Sequence, residues 1–234
     1  MNKIYVGKNE ISKKWISAYE KFLVKLFSKS LKGIKMLEYE NRAKEKGYKL
    51  IAGMDEAGRG PLAGAVYTAM CIMPLDDLID GVNDSKALTP KKREELYEKI
   101  KEKAVAYVIC SVDEKRIDEI NILEATKEGM AMCLDKIDIK PDYCLVDHVA
   151  KLNLNLPFET IVKGDAKSYS IACASILAKV ARDRYVDELD KKYPNYKLSQ
   201  HKGYATKLHY QLINEFGISE IHRKSFLKNL DEHR

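Results

Sequence analysis

Residues 49–64 constrain the chain more than any other stretch. An apolar run, Leu50-Ile51-Ala52, leads into two adjacent carboxylates, Asp55 and Glu56, and then into the turn Gly58-Arg59-Gly60. A second apolar, β-rich run, residues 65–73, follows after a short Gly/Pro segment, so the two read as a hairpin. A strand end with two acids is costly to desolvate unless a cation or a hydrogen-bond donor compensates. Hard divalent cations take such oxygen ligands. The glycines let the backbone approach a ligand closely, and a guanidinium suits phosphate. The combination points to metal-assisted chemistry on a phosphate ester.

The strand pattern continues downstream. With residues 49–54 as the first strand, the main domain reads strand, strand, helix, strand, helix, strand, strand, helix. Thr89-Pro90 opens a charged helix to about residue 103, with proline at the first helical position. Residues 104–112 form a third strand, and Asn121 begins a helix to about residue 136. Short strands over 142–146 and 158–162 follow, then a long Ala- and Ile-rich helix over 168–191 and a last helix over 206–216. The expected architecture is α/β, a central mixed sheet flanked by helices.

Ahead of this domain lies a basic segment. Residues 1–50 hold 13 Lys and Arg against 5 Asp and Glu, whereas the whole chain carries a net charge of only +6. Trp15, Tyr19, Phe22, Leu23 and Leu26 recur at helical spacing after a Ser12 N-cap, and a second helix over 34–46 stops at Gly47. The stripe is either packing surface or a stacking face for nucleic acid. We divide the chain into a helical extension, residues 1–48, and a catalytic domain, residues 49–234. No apolar run approaches the ~20 residues that span a bilayer, and residues 1–10 lack a secretory core. The five cysteines lie in apolar stretches without metal-ligand spacing, so they read as buried reduced thiols in a cytoplasmic protein, and a monomer is the default expectation.

Three separate strands run into acid: Asp55-Glu56, Asp147 and Asp165. Sites in open α/β sheets form beyond the carboxyl ends of strands. Four carboxylates there tolerate ionisation only with divalent cations among them. Two such ions ~4 Å apart suit an in-line phosphoryl displacement. Asp165 reads equally as a turn residue, since Gly164-Asp165 is a turn dipeptide.

The ordered motifs resemble ribonuclease HII, the type 2 ribonuclease H family, in its bacterial form with an N-terminal helical extension. They run from Asp-Glu-Ala-Gly-Arg-Gly-Pro-Leu-Ala-Gly (55–64) through Asn-Asp-Ser-Lys (83–86), Asn-Ile-Leu-Glu-Ala-Thr (121–126), Pro-Asp-Tyr-Cys-Leu-Val-Asp (141–147) and Val-Lys-Gly-Asp-Ala-Lys-Ser (162–168). Then come Ala-Ser-Ile-Leu-Ala-Lys-Val (174–180), Arg-Asp-Arg (182–184), His-Lys-Gly-Tyr (201–204) and Ile-His-Arg-Lys-Ser-Phe (221–226).

The resemblance implies a ribonuclease H-like fold with a five-stranded sheet and helical additions at both ends. It implies hydrolysis of RNA in RNA–DNA hybrids and incision 5′ to single ribonucleotides in duplex DNA, leaving 3′-hydroxyl and 5′-phosphate ends, as in DNA repair and replication. By motif, the catalytic and metal-binding acids are Asp55, Glu56, Asp147 and Asp165, holding two Mg²⁺ or Mn²⁺ ions bridged by Asp55. Asp55 and Asp165 are assigned to the ion beside the attacking water. Asp55, Glu56 and Asp147 are assigned to the ion beside the leaving oxygen.

Gly58, Arg59 and Gly60 match the turn that senses a 2′-hydroxyl, the group that tells RNA from DNA. Tyr204 matches a tyrosine stacked at the RNA–DNA junction, and Lys86 a lysine near the phosphates. Each has a plainer alternative: Arg59 pairing with an acid or satisfying turn carbonyls, Lys86 as an ordinary lysine on the approach to a helix, Tyr204 capping a core. His201 and His222, single histidines without ligand-like spacing, are expected in structural or phosphate-side roles. Departures from the family pattern at Ala65, Ala87, His148, Cys173, Ala181 and Ala205 remove none of the four acids.

Overall fold

The structure, a computed structural model, describes residues 36–227. The helix expected to follow Ser12 lies outside the described residues. Five strands form one mixed sheet: β1 (Ile51–Ala57), β2 (Val66–Ile72), β3 (Ala106–Val112), β4 (Tyr143–Asp147) and β5 (Phe158–Ile161), in the order β3-β2-β1-β4-β5. The β1–β2 hairpin and the β2–β3 pair are antiparallel, and β4 runs parallel to both β1 and β5. The helices are α1 (Glu38–Glu45), α2 (Pro90–Lys103), α3 (Glu114–Lys136), α4 (Tyr169–Lys192), the single turn α5 (Leu198–His201) and α6 (Lys207–Phe216). Among the described residues no helix is long and apolar enough to cross a membrane.

The two faces of the sheet follow from the period-two alternation of strand side chains. Ala52 and Met54 of β1, Met70 and Ile72 of β2, and Cys144 and Val146 of β4 pack with Met130, Cys133 and Ile137 on the α3 side. Ala57, Ala69 and Cys71 face α2 and the Ala-rich first half of α4. Gly53 lies on this second face for a steric reason. A Cβ there would sit 2.0 Å from the Ser170 carbonyl carbon, so β1 and the start of α4 touch backbone to backbone. All five cysteines are free and buried, as expected from the sequence.

Local capping follows the sequence closely. Thr89 accepts from Lys92 N with Pro90 in the first turn, and Ser168 and Thr206 cap α4 and α6 in the same way. Two boundaries differ from the sequence reading. β1 does not stop at Met54 but runs on to Ala57, because β2 supplies partners as far as Tyr67 opposite Ala57. The two acids therefore sit within the strand rather than beyond it. Helix α3 starts at Glu114, capped by Asp113, and Asn121 breaks it with φ 69°. The Asn121 Oδ1 then accepts from Leu123 N and Glu124 N, restarting the helix where the sequence placed its beginning.

Helix α1 is fastened to the body by a buried carboxylate. Glu40 Oε1 accepts from Ser168 Oγ at 2.6 Å and from Ser170 N at 2.9 Å, covering the exposed amides at the start of α4. Burial raises the Glu40 carboxyl above its ordinary range, and these hydrogen bonds only partly offset it.

Candidate active site

Asp55 and Asp147 belong to adjacent parallel strands. The β1–β4 register pairs Met54 with Val146, so the next residues on each strand are Asp55 and Asp147, side by side on the α4 face. Neighbouring strands lie about 4.8 Å apart, which leaves two carboxyls facing one small space. Helix α4 adds Ser175, which acts to lower the Asp55 carboxyl and whose Oγ lies 2.9 Å from Ser85 Oγ. Through that pair of hydroxyls the segment Asp84-Ser85-Lys86 is brought to the same place.

The electrostatics are those of a crowded anion cluster. Burial pushes the Asp55 carboxyl well above the usual carboxylate range, and the charges of Glu56 and Asp147 push it further. Glu56 is also raised by burial; Arg59, with Nη1 at 3.3 Å, draws it back, and Asp147 opposes that. Asp165 sits in a short 3₁₀ turn, Gly164–Ala166, and is raised by burial and then by Asp84 and Asp147. Lys86 Nζ lies 3.8 Å from Asp165 Oδ2. Burial lowers this ammonium, but Asp165, Asp55, Asp84 and Asp147 together outweigh burial and raise it.

The donor set fits a divalent cation. It consists of hard carboxylate oxygens, it is desolvated, and Glu56 Oε2 is buried with no hydrogen-bond partner. Among the described residues no three His, Cys, Asp or Glu side chains form a ready-made metal cage. Three of the four acids are instead turned to donors of their own. Asp55 Oδ1 accepts from Glu56 N, Asp147 Oδ1 from Gly164 N at 2.7 Å, and Glu56 faces Arg59. Like-charged carboxylates otherwise spread apart, and a cation has to draw them together.

Beyond the acids, β1 leads straight into the Gly58-Arg59-Gly60 turn. Gly58 has φ +97°, open to glycine and strained for other residues. Arg223 holds the turn from behind: its guanidinium donates to the carbonyls of Gly64 at 2.8 Å, Arg59 at 3.1 Å and Gly58 at 2.7 Å. Arg182 is likewise fully buried, with its guanidinium 5.7 Å from the Tyr204 ring centroid. Its Nε and Nη1 have no hydrogen-bond partner. Tyr204 is exposed, and its ring comes within 3.6 Å of the Cβ position at Gly60.

The structure thus brings Asp55, Glu56, Asp147, Asp165 and Lys86 within electrostatic reach of one another and sets Gly58, Arg59, Gly60 and Tyr204 beside them. Arg59 pairs with Glu56, its plainer alternative, whereas Lys86 is set against Asp165 rather than standing as an ordinary lysine on the approach to a helix. Sequence reasoning did not single out Asp84, Arg182, Arg223 or His209. The first three lie in motifs carried by the resemblance, but nothing in their spacing tells what they touch. His201 and His222 are both buried.

The model of the family described as Ribonuclease HII matches residues 52–229. A ribonuclease HII of Caldicellulosiruptor saccharolyticus is 53% identical over 82% of this chain and 94% of its own length. One from Acetivibrio thermocellus is 49% identical over 98% of this chain and 91% of its own. Among solved structures, the ribonuclease H2 of Pyrococcus horikoshii is similar with a TM-score of 0.68 and 29% identity, covering 79% of this chain and 98% of that one.

Proposed function

The chain belongs to the ribonuclease HII family, and we propose that this ribonuclease H endonuclease cuts duplex DNA 5′ to an embedded ribonucleotide as well as RNA in RNA–DNA hybrids. The observation that carries this reading is a juxtaposition. A desolvated acid cluster at the ends of β1 and β4 continues directly into a glycine turn faced by an exposed tyrosine. The first element suits phosphoryl displacement. The second suits recognition of a 2′-hydroxyl by backbone and ring.

Asp55, Glu56, Asp147 and Asp165 would hold two Mg²⁺ or Mn²⁺ ions. When bound, such ions supply Lewis-acid charge for an in-line displacement at phosphorus. The chain's own groups do the rest. The Glu56 amide fixes the Asp55 carboxyl, and the Gly164 amide fixes Asp147. Lys86, exposed beside Asp165, offers positive charge to an arriving phosphate while screening the acids. Arg59 is half-exposed beside Glu56 and can exchange that partner for a phosphate. The Gly58–Gly60 backbone and Tyr204 read the sugar rather than base edges, so sequence preference is slight. All these residues come from one chain, which we take to act as a monomer in the cytoplasm.

Three labelled duplexes test the reaction class: all-DNA, a full hybrid, and DNA containing one ribonucleotide. Cleavage of the last two alone supports the reading. Cleavage of all-DNA at comparable rate would instead mark a nuclease that ignores the 2′-hydroxyl.

A further inference from the structure

Behind Tyr204 lies a buried group of three histidines, His201, His209 and His222, which the reaction does not use. The His201 and His209 rings stack with centroids 4.3 Å apart, and His209 Nε2 lies 3.2 Å from His222 Nε2. The hydrogen bonds leave one proton assignment for neutral rings. His222 Nδ1 accepts from Ser219 N at 3.1 Å, so its proton is on Nε2. That proton is donated to His209 Nε2, so His209 carries its own on Nδ1. His209 Nδ1 then donates to the Tyr204 carbonyl at 3.0 Å. His201 accepts from Gly203 N on Nδ1 and donates from Nε2 to the Tyr196 carbonyl.

We propose that His222 and His209 are positioning residues for Tyr204, forming a directed relay from Ser219 through both rings to the Tyr204 carbonyl. The proposal rests on the reading of Tyr204 given above. The Tyr204 ring projects toward Gly60 while the backbone behind it is held in place. Its amide donates to the His201 carbonyl at 2.9 Å, and its carbonyl takes both Thr206 N and His209. Gly203, just before it, donates to His201 and accepts from Leu62 N at 2.8 Å. At the other end, His222 bridges Ala63 in antiparallel fashion, and Arg223 N donates to the Leu62 carbonyl. Residues 221–223 therefore grip the chain leaving the glycine turn and, through the relay, the tyrosine opposite it. Both halves of the junction reader share one support. A buried polar chain of this kind costs more than apolar packing unless every member is satisfied, and here each is.

Two substitutions at one position separate this role from general stability. In His209→Asn the side-chain amide N–H falls near the former Nδ1 and still reaches the Tyr204 carbonyl. In His209→Gln the amide falls near the former Nε2 and leaves that carbonyl without the donor. Losing one such bond corresponds to about a tenfold effect. His209→Gln is expected to lose about tenfold in kcat/KM on a single-ribonucleotide duplex, retain cleavage of a long hybrid, and be rescued by His209→Asn. Equal losses on both substrates, in step with falling Tm, or full activity of His209→Gln, would overturn the relay. Nitrogen-15 NMR of the folded wild-type protein reads the tautomers without any variant: a proton on His209 Nδ1 supports the relay, and one on Nε2 overturns it. Tyr204→Ala is assayed alongside. If it cleaves the single-ribonucleotide duplex normally, the reading of Tyr204 has failed, whereas the tautomers judge the relay itself.

Discussion

The Arg182 side chain fills the space beside Gly58: a Cβ at residue 58 would lie 2.1 Å from Arg182 Nε. Glycine is required there twice over, by its φ of +97° and by this contact. The same guanidinium lies next to the Tyr204 ring, so the two parts of the proposed junction reader meet on it.

Gly58→Ala is therefore expected to cost at least about 1–3 kcal/mol of stability from backbone strain alone. It should also lower single-ribonucleotide cleavage by displacing Arg182. Because the two residues are in contact, their effects should not add. Thermal unfolding of Gly58→Ala, Arg182→Ala and the double variant checks this. The double variant should lose less than the sum of the two singles.

Asp55 concerns stability as well as the proposed catalysis. It is a buried carboxyl repelled by Glu56 and Asp147. Asp55→Asn is expected to leave the metal-free protein as stable as wild type or more so. Mn²⁺ at about 100 times its Kd adds about 2.7 kcal/mol to a protein with one such site. Wild type should show a rise of that order, and Asp55→Asn much less, in melts with and without the ion.

Glu40 tests the attachment of α1. Glu40→Ala leaves Ser168 Oγ and Ser170 N without their acceptor, at a cost of about 1–3 kcal/mol for a buried unsatisfied group. Glu40→Gln keeps an acceptor oxygen and removes a buried charge, so it should be clearly the more stable of the two in chemical denaturation.

The histidine group sets part of the acid sensitivity. Burial lowers His209 and His222 to about 4 each, against about 6.5 when unfolded. Between these values the unfolded chain binds more protons than the folded one. Stability from these groups is thus full above pH ~6.5 and is lost as pH falls towards ~4. His209→Asn should flatten the fall in stability between pH 6.5 and 4.5, measured by denaturant titration as the difference from wild type.

Much of this was legible in the sequence because the governing physics is local. Thr89-Pro90, Ser168 and Thr206 announce their helices through caps, and the β1–β2 hairpin through its Gly/Pro turn. The acids stood out because apolar strands rarely run into charge. The end of β1 was misplaced because polarity at Asp55 and Glu56 suggested a loop, whereas pairing with β2 continues regardless. The first turns of α3 were missed because Asn121, a strong start signal, interrupts a helix already under way. Arg182 and Arg223 were not singled out because their partners lie elsewhere in the chain, and His209 because a single histidine inside an amphipathic helix carries no signal of what its ring meets. Arg223 meets Gly58 across 165 positions, a distance no spacing rule reaches.

The most direct test of the central claim is cleavage of an end-labelled duplex with one ribonucleotide, in Mg²⁺ and separately in Mn²⁺. Asp55→Asn and an all-DNA duplex run alongside. Loss of an outer-sphere partner of a metal site typically costs about 10–100-fold, so loss of Asp55 should cost at least the upper end. The account predicts a single cut 5′ to the ribonucleotide by wild type, no cut in all-DNA, and a loss of about 100-fold or more for Asp55→Asn. Full activity of Asp55→Asn, or no cut by folded wild-type protein with either metal, would contradict it.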